Sequence, residues 1–474
     1  MTATADAPAG VPGAAPLTPR PGVAERLARM VRVPTVAAGD PTSGDPTEDA
    51  FDQRAAFPAL LAELYPLVHE RLDVETLVSG DGVRSLLYRW AGRDQAADPL
   101  VLMAHLDVVP AAAGDGWTYP PFDGVVADGW VYGRGSLDDK GPLAVVLEAV
   151  ENLLAAGFTP ARDVYLSFGA DEEGGGTGAQ AAVARLQERG VTPWLVLDEG
   201  GAVVTAPLPG VAGQVALVGV AEKGFAAVEL AARSDGGHAS APPPLTAVSR
   251  LSRAVDRLGP RTFPARIPSA VAQMLALLAP TARGPWRALY RVLVAAPRLG
   301  AQLFAALGGE PAAMVRTTVA ATMQTGGTAV NVLPPSASVT LNLRLAPGDS
   351  LDRVLARLRA RVADPLVDVR LVQGNDPSPT SPTDDERFAL LTEAVRTSHP
   401  DAVTVPYLMM AASDARYFHR AFPAVYRFAP LAMSAAQRAG IHGLDERVEV
   451  AELERGEVFH RTLLLRLASP ASPA

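Results

Sequence analysis

Three short apolar runs in this chain break off at acidic or histidine side chains. Pro99–Ala104 runs into His105, Val164–Phe168 into Asp171, Glu172 and Glu173, and Trp194–Leu197 into Asp198. Continuous Val/Leu runs bounded by turn residues are the pattern of strands buried on both faces of a parallel sheet. Helical stretches at about 141–157 and 178–189 lie among them. Alternating strand and helix implies an α/β architecture, with a mostly parallel central sheet flanked by helices. Ligands of such sheets bind at the carboxyl ends of the strands, which is where the acidic and histidine residues fall.

The pattern changes near Lys223. Phe225–Ala231 reads as a strand, followed by Gly236-Gly237-His238 and a helix over about 245–258. Strands at about 315–324 and 337–345, a helix at about 351–362 and a strand at about 367–372 complete a strand–helix–strand–strand–helix–strand order. That order predicts an inserted ferredoxin-like α+β domain over about 224–375, serving as a lid or dimerisation domain. The catalytic domain is then discontinuous, at about 20–223 and 376–470, with the Pro/Ser/Thr-rich Asn375–Thr383 as the return linker. A helical insertion at about 259–312 is broken by Arg266, Arg283, Arg287, Arg291 and Arg298. It reads as a packed insertion; a face for a membrane surface or a partner is the alternative.

Residues 1–19 are rich in Ala, Pro and Thr and contain no basic residue. They read as a disordered leader and not as a signal peptide, so a cytoplasmic protein is expected. No uninterrupted apolar run approaches the ~20 residues of a membrane span. The formal net charge of -9 without a basic stripe argues against nucleic acid as the main partner. The chain has no cysteine, which excludes disulfides, thiol catalysis and zinc held by thiolate. A metal would have to sit on nitrogen and oxygen ligands.

Five stretches carry candidate chemistry: His105-Leu106-Asp107, Gly133-Arg134-Gly135-Ser136-Leu137-Asp138-Asp139-Lys140-Gly141, Asp171-Glu172-Glu173-Gly174-Gly175, Leu197-Asp198-Glu199-Gly200-Gly201 and Ile441-His442-Gly443. Read singly, each has an ordinary structural explanation. A histidine can be a core residue, Asp138-Asp139 an acidic helix start, and Asp171-Glu172-Glu173 an exposed turn. Read together, they supply two histidines and three carboxylates, the hard N/O set expected for zinc without cysteine. Adjacent carboxylates repel one another unless a cation compensates them. Two divalent ions carry four positive charges against three negative ones from Asp138, Glu173 and Asp198, and a bridging hydroxide makes the site neutral. Asp107 is spaced to orient His105.

In this order, the motifs H-L-D-V-V-P, G-R-G-S-L-D-D-K-G, D-E-E-G-G, L-D-E-G-G and I-H-G resemble the zinc exopeptidase family of glutamate carboxypeptidase, aminoacylase, acetylornithine deacetylase and succinyl-diaminopimelate desuccinylase. The likeness covers about residues 20–465 and is greatest to the carboxypeptidase S branch. It implies two zinc ions per chain, for which cobalt or manganese can substitute. His105 and Asp198 would bind one ion, Glu173 and His442 the other, and Asp138 both. It further implies a cis Asp138–Asp139 peptide, Glu172 as general base and Asp107 as the group orienting His105. His238 would stabilise the oxyanion, in its own site or in that of a partner subunit. Asn331 and Arg344 would bind substrate, Arg344 through a bidentate grip on a carboxylate. Where relatives often carry Gly-Thr-Asp this chain has Ala412-Ser413-Asp414-Ala415-Arg416, in which Ser413 keeps a hydroxyl and would line the pocket.

The function expected is therefore a di-zinc metallohydrolase that cleaves an amide bond of a peptide or N-acyl amino acid. A metal-bridged hydroxide is the nucleophile. A deacylase of a small N-acylated metabolite is the alternative, and a non-catalytic binding protein a remote one. The chain would be a monomer or a homodimer through the inserted domain.

Overall fold

A computed structural model of the chain describes residues 17–37, 48–79, 82–205 and 208–467. Residues 1–16 of the expected leader, and the last three residues of the expected 376–470 segment, lie outside the described residues. The chain forms two compact units. One comprises the chain up to Val220, Ser381–Pro406 and the chain from Ser413 onward; the other comprises Ala221–Thr380 and Tyr407–Ala412.

The centre of the first unit's sheet is parallel. Leu100–His105 lies between Val164–Gly169 and Leu195–Asp198, and Val425–Arg427 continues the order beyond Leu195–Asp198. All four strands are buried throughout. The flanks are antiparallel: Arg84–Trp90 and Asp73–Val78 on one side, Gln214–Glu222 on the other. Val101, Met103, Tyr165 and Val196 pack in one cluster with the helices Thr177–Glu188 and Ala415–Ala421. The alternate side chains of these strands point to the opposite face.

The register fixes where each strand stops. His105 stands opposite Gly169, Leu102 opposite Leu197, and Asp198 opposite Arg427. The parallel strands therefore end side by side with His105, Gly169 and Asp198 along one edge.

The helix Lys140–Ala155 follows the Asp138-Asp139 turn and is buried over Lys140–Leu154. An all-round apolar helix belongs in an interior, and its few polar residues are each matched. Glu151 accepts the N–H groups of Leu67 and Val68 (3.2 and 2.9 Å), capping the helix Pro66–Arg71. Glu148 pairs with Arg26, and Asn152 donates to Glu457 at 2.8 Å. Gly456 of the helix Val450–Arg466 lies where a Cβ would come 2.9 Å from the Val145 side chain, so a larger residue would push these two helices apart.

Lys140 is fully buried and donates to the carbonyls of Met30 and Val33, at 3.1 and 2.6 Å. It thereby caps the end of the helix Val23–Val31. Burial brings its ammonium down to about 7 against the pull of Glu446 and Asp107. Lys140→Met keeps the volume but strands both carbonyls, at an expected cost of about 2–4 kcal/mol. The denaturation midpoint should fall accordingly, and an unchanged midpoint would show that the lysine stabilises nothing.

The second unit is built on an antiparallel sheet in the order Thr318–Gly326, Ser336–Leu345, Gly224–Arg233, Val367–Asn375. Burial alternates strictly along both Ser336–Leu345 and Gly224–Arg233. One face of the sheet is covered by the helices Ala247–Asp256 and Leu351–Val362. Between Ala247–Asp256 and Thr318–Gly326 come the helices Ser269–Leu278, Pro285–Ala295, Pro297–Leu307 and Gly309–Val315. The buried Lys223 donates to the carbonyls of Ala313 and Arg316 (3.0 and 2.9 Å), capping the last of them. Among the described residues, no helix is long and apolar enough to cross a membrane.

Candidate metal centre

His105 is held from three directions at the end of its strand. Its backbone N–H donates to Asp139 Oδ2 at 2.9 Å. Its Nδ1 lies 3.0 Å from the Asp107 carbonyl oxygen and 3.5 Å from Asp107 Oδ1. Its Nε2 lies 2.9 Å from Asp138 Oδ1. With Nδ1 committed to Asp107, Nε2 is the nitrogen free to ligate.

The two oxygens of Asp138 face different histidines. Oδ1 meets His105, while Oδ2 lies 3.1 Å from His442 Nε2. His442 Nε2 is also 2.8 Å from Glu173 Oε1. His105, Asp138 and Glu173 form a group whose ligand atoms all lie within 4.8 Å of one another, as a metal site requires. Asp198 is not one of these three. It is buried at the next strand end, and its Oδ2 accepts the Ala415 N–H at 2.8 Å. The Asp138–Asp139 peptide is cis.

The consecutive carboxylates 171–173 divide their work. Asp171 is a turn builder: it accepts from Thr177 N (2.7 Å), Thr177 Oγ1 (2.5 Å) and Gly178 N (2.9 Å), fixing the start of Thr177–Glu188. Glu173 joins the candidate metal group with His105 and Asp138. Glu172 is directed elsewhere, with Oε1 3.7 Å from Arg416 Nη1. The backbone N–H groups of Glu172 and Glu173 both donate to the Asp107 carboxylate, at 3.1 and 3.0 Å. Asp107 thus serves His105 mainly through its carbonyl and the 172–173 loop through its side chain.

The electrostatics favour cations. Burial works against a charged His105, but hydrogen bonds to Asp107 and Asp138 and the nearby Asp139 hold its pKa well above the usual value. Hydrogen bonds to Asp138 and Glu173 lift His442 to about 10. The nitrogens that would ligate a cation are the ones these carboxylates face. Carboxyls around them are in surplus. Burial, followed by repulsion from neighbouring carboxylates, pushes Asp139, Glu172, Glu199 and Asp414 well above the carboxylate range. One oxygen of the buried Asp414 has no hydrogen-bond partner among the described residues. A site with excess buried carboxylate, one buried imidazole and one exposed imidazole facing the same carboxylates fits divalent ions.

His442 is carried by a loop, not by a strand. Its φ of 57° lies in the left-handed region that non-glycine residues seldom adopt. Neighbouring residues hold the loop in place. Asp445 accepts from Thr118 N and Oγ1 at 2.7 and 2.9 Å, and Arg134 donates to Gly443 O at 2.9 Å. Arg134 also pairs at 2.6 Å with the buried Glu446, whose other oxygen accepts the N–H groups of Leu137 and Asp138 at 2.8 and 3.1 Å. Sequence reasoning gave Arg134, Glu446, Asp414 and Arg416 no role. Arg134, Asp414 and Arg416 lie inside stretches singled out for other residues, and Glu446 lies four residues beyond His442, which is the only signal that marks them.

The remaining candidates divide between the units. Ser413 is fully buried in the first unit, just before the helix Ala415–Ala421. In the second, His238 pairs with Val332 in a two-residue strand. Its Nδ1 accepts the Ser240 N–H at 3.1 Å and lies 2.8 Å from Ser240 Oγ, so Nε2 carries the hydrogen. Asn331 is adjacent, its carbonyl accepting the Ala239 N–H at 3.0 Å. Arg344 lies at the other end of Ser336–Leu345, its guanidinium 5.3 Å from the Phe225 ring centre.

Residues 101–466 match the family model described as Peptidase family M20/M25/M40. The chain is 32% identical over 462 residues to "Probable carboxypeptidase S-like 2" of Dictyostelium discoideum, covering 93% of this chain and 84% of that one. It is 33% identical over 449 residues to the human N-fatty-acyl-amino acid synthase/hydrolase PM20D1, covering 92% and 86%. Among solved structures, an M20 family metallo-carboxypeptidase of Sulfolobus solfataricus shares the fold with a TM-score of 0.69 at 14% identity, covering 95% of this chain and all of that one. The mixed α/β fold, the motif order and these relatives agree: the chain is a hydrolytic enzyme and belongs to peptidase family M20/M25/M40.

Proposed function

We propose that this enzyme hydrolyses the amide bond of N-acyl amino acids and small peptides, using two zinc ions held by His105, Asp138, Glu173, Asp198 and His442. The observation that carries the proposal is the orientation of Asp138, whose two oxygens face two different histidines. A carboxylate so turned suits a bridge between two ions. Glu173 beside His442, and Asp198 at the strand end next to His105, complete the two sets.

Bound there, the ions would acidify a water toward neutrality and polarise the substrate carbonyl. The chain's own part is proton transfer and orientation. Glu172 takes the proton of the attacking water as the C–O bond forms, and hands it to the amide nitrogen as the C–N bond breaks. Its burial raises its proton affinity, which suits the second step. Asp107 keeps Nε2 of His105 directed to the metal and the 172–173 backbone in position. The family resemblance assigns the oxyanion to His238, whose Nε2–H is a ready donor. It assigns substrate contacts to Asn331, Arg344 and Ser413.

The acyl portion of the substrate is the open variable. One similar protein is named for carboxypeptidase S and another for N-fatty-acyl amino acids, so both bond types belong in the test. Zinc-reconstituted enzyme should release free amino acid from a panel of dipeptides and short- and long-chain N-acyl amino acids. Hydrolysis of N-acyl amino acids without dipeptides would narrow the assignment to a deacylase. Inactivity on the whole panel, with metal bound, would refute the proposal.

A further inference from the structure

Between Asp256 and Glu310 the chain carries seven arginines and no Asp, Glu or Lys. The whole chain has 42 basic and 51 acidic residues, so this stretch is strongly cationic within an acidic protein. It forms the three helices Ser269–Leu278, Pro285–Ala295 and Pro297–Leu307. They pack through one side: Met274 and Leu275, Tyr290 and Leu293, and Ala301 and Phe304 are buried.

The other side is unusual. In Pro297–Leu307 the leucines at 299, 303 and 307 are 59, 37 and 66% exposed. Spaced four apart, they form a single row along the helix. A water-facing helix surface is ordinarily polar. On the preceding helix, Val292 is also exposed, at 48%, whereas Trp286 lies on the stripe of the buried Tyr290 and Leu293. Arginines flank these apolar groups and are themselves exposed: Arg291 precedes Val292, and Arg298 precedes Leu299.

We propose that this helical face docks on an anionic lipid surface. The leucine row and Val292 would enter the boundary between headgroups and acyl chains, with the arginines meeting the negative headgroups. Charge complementarity selects this occupant. A second copy would bring the same cluster of arginines against the first, and a nucleic acid would leave the leucine row without a partner. The inference does not depend on the substrate proposed above.

The test is sedimentation of the full chain with phosphatidylcholine vesicles, with and without phosphatidylglycerol, at low and high salt. Binding is expected to the anionic vesicles and to weaken with salt. The triple variant L299S/L303S/L307S should bind at least about tenfold more weakly. R291Q/R298Q should lose about fivefold per arginine on anionic vesicles. Both variants should keep the parent's denaturation midpoint and its hydrolysis of short substrates, which shows that the fold is intact. Failure to bind anionic vesicles, or binding indifferent to both sets of substitutions, would overturn the proposal. So would a leucine-dependent dimer in analytical ultracentrifugation without vesicle binding, which would assign the face to a second copy.

Discussion

Glu172→Gln is expected to lower kcat by roughly 10²- to 10⁴-fold, the usual contribution of a positioned general base. Glutamine keeps the size of the side chain and cannot accept the proton. The substitution should spare the metal group for a structural reason. Asp107 holds residue 172 by its backbone N–H, not by its carboxylate, and the His105–Asp138–Glu173 group does not include it. Metal content measured alongside turnover should therefore stay near two ions per chain. Full turnover in the variant would remove Glu172 from the mechanism. Loss of metal together with turnover would reassign it as a structural support of the site.

Arg134→Met is expected to destabilise the protein by about 3–5 kcal/mol, the cost of breaking a buried ion pair from one side. Arg134 is 3% exposed and Glu446 fully buried. Burial already raises the pKa of Glu446, with the Arg134 charge opposing. Without the guanidinium, Glu446 should take up a proton. The proton falls on the oxygen that faced Arg134, leaving a buried O–H without that partner, while the other oxygen still accepts the Leu137 and Asp138 N–H groups. Urea titration of the variant would measure the loss. Arg134→Met/Glu446→Gln should recover part of it, because no unpaired charge then remains. A single variant as stable as the parent would show that the pair contributes nothing.

The sequence made the strand ends legible because runs buried on both faces are continuous in hydrophobicity. Leu100–His105 and Leu195–Asp198 match the runs read there to within a residue or so. The flanking strand Asp73–Val78 was not legible, since it mixes exposed and buried positions without a clean alternation. At the site, residue types pointed to metal chemistry but not to the supports. Asp171 looks like its two neighbours in sequence, and only its bonds to Thr177 and Gly178 distinguish it. The Asp107 carbonyl is a backbone group that every residue has, so no sequence signal could assign it to His105. Arg134 and Glu446 are 312 positions apart, and their pairing is a product of the tertiary fold alone. In the insertion, the arginine-broken apolar run predicted a helical segment, but not that Leu299, Leu303 and Leu307 would stay exposed while Phe304 is buried.

The Arg134–Glu446 latch also bears on the order in which the protein is made. Ribosomes add residues from the N-terminus at about 5–20 per second. His105, Asp138, Glu173 and Asp198 therefore leave the ribosome long before His442 does. During that interval the Asp138 turn lacks the Glu446 carboxylate that receives the Leu137 and Asp138 N–H groups. The nascent chain thus holds most of its candidate ligands in an unfinished frame. Completion of the site is a late event in biosynthesis, set by the arrival of the C-terminal loop.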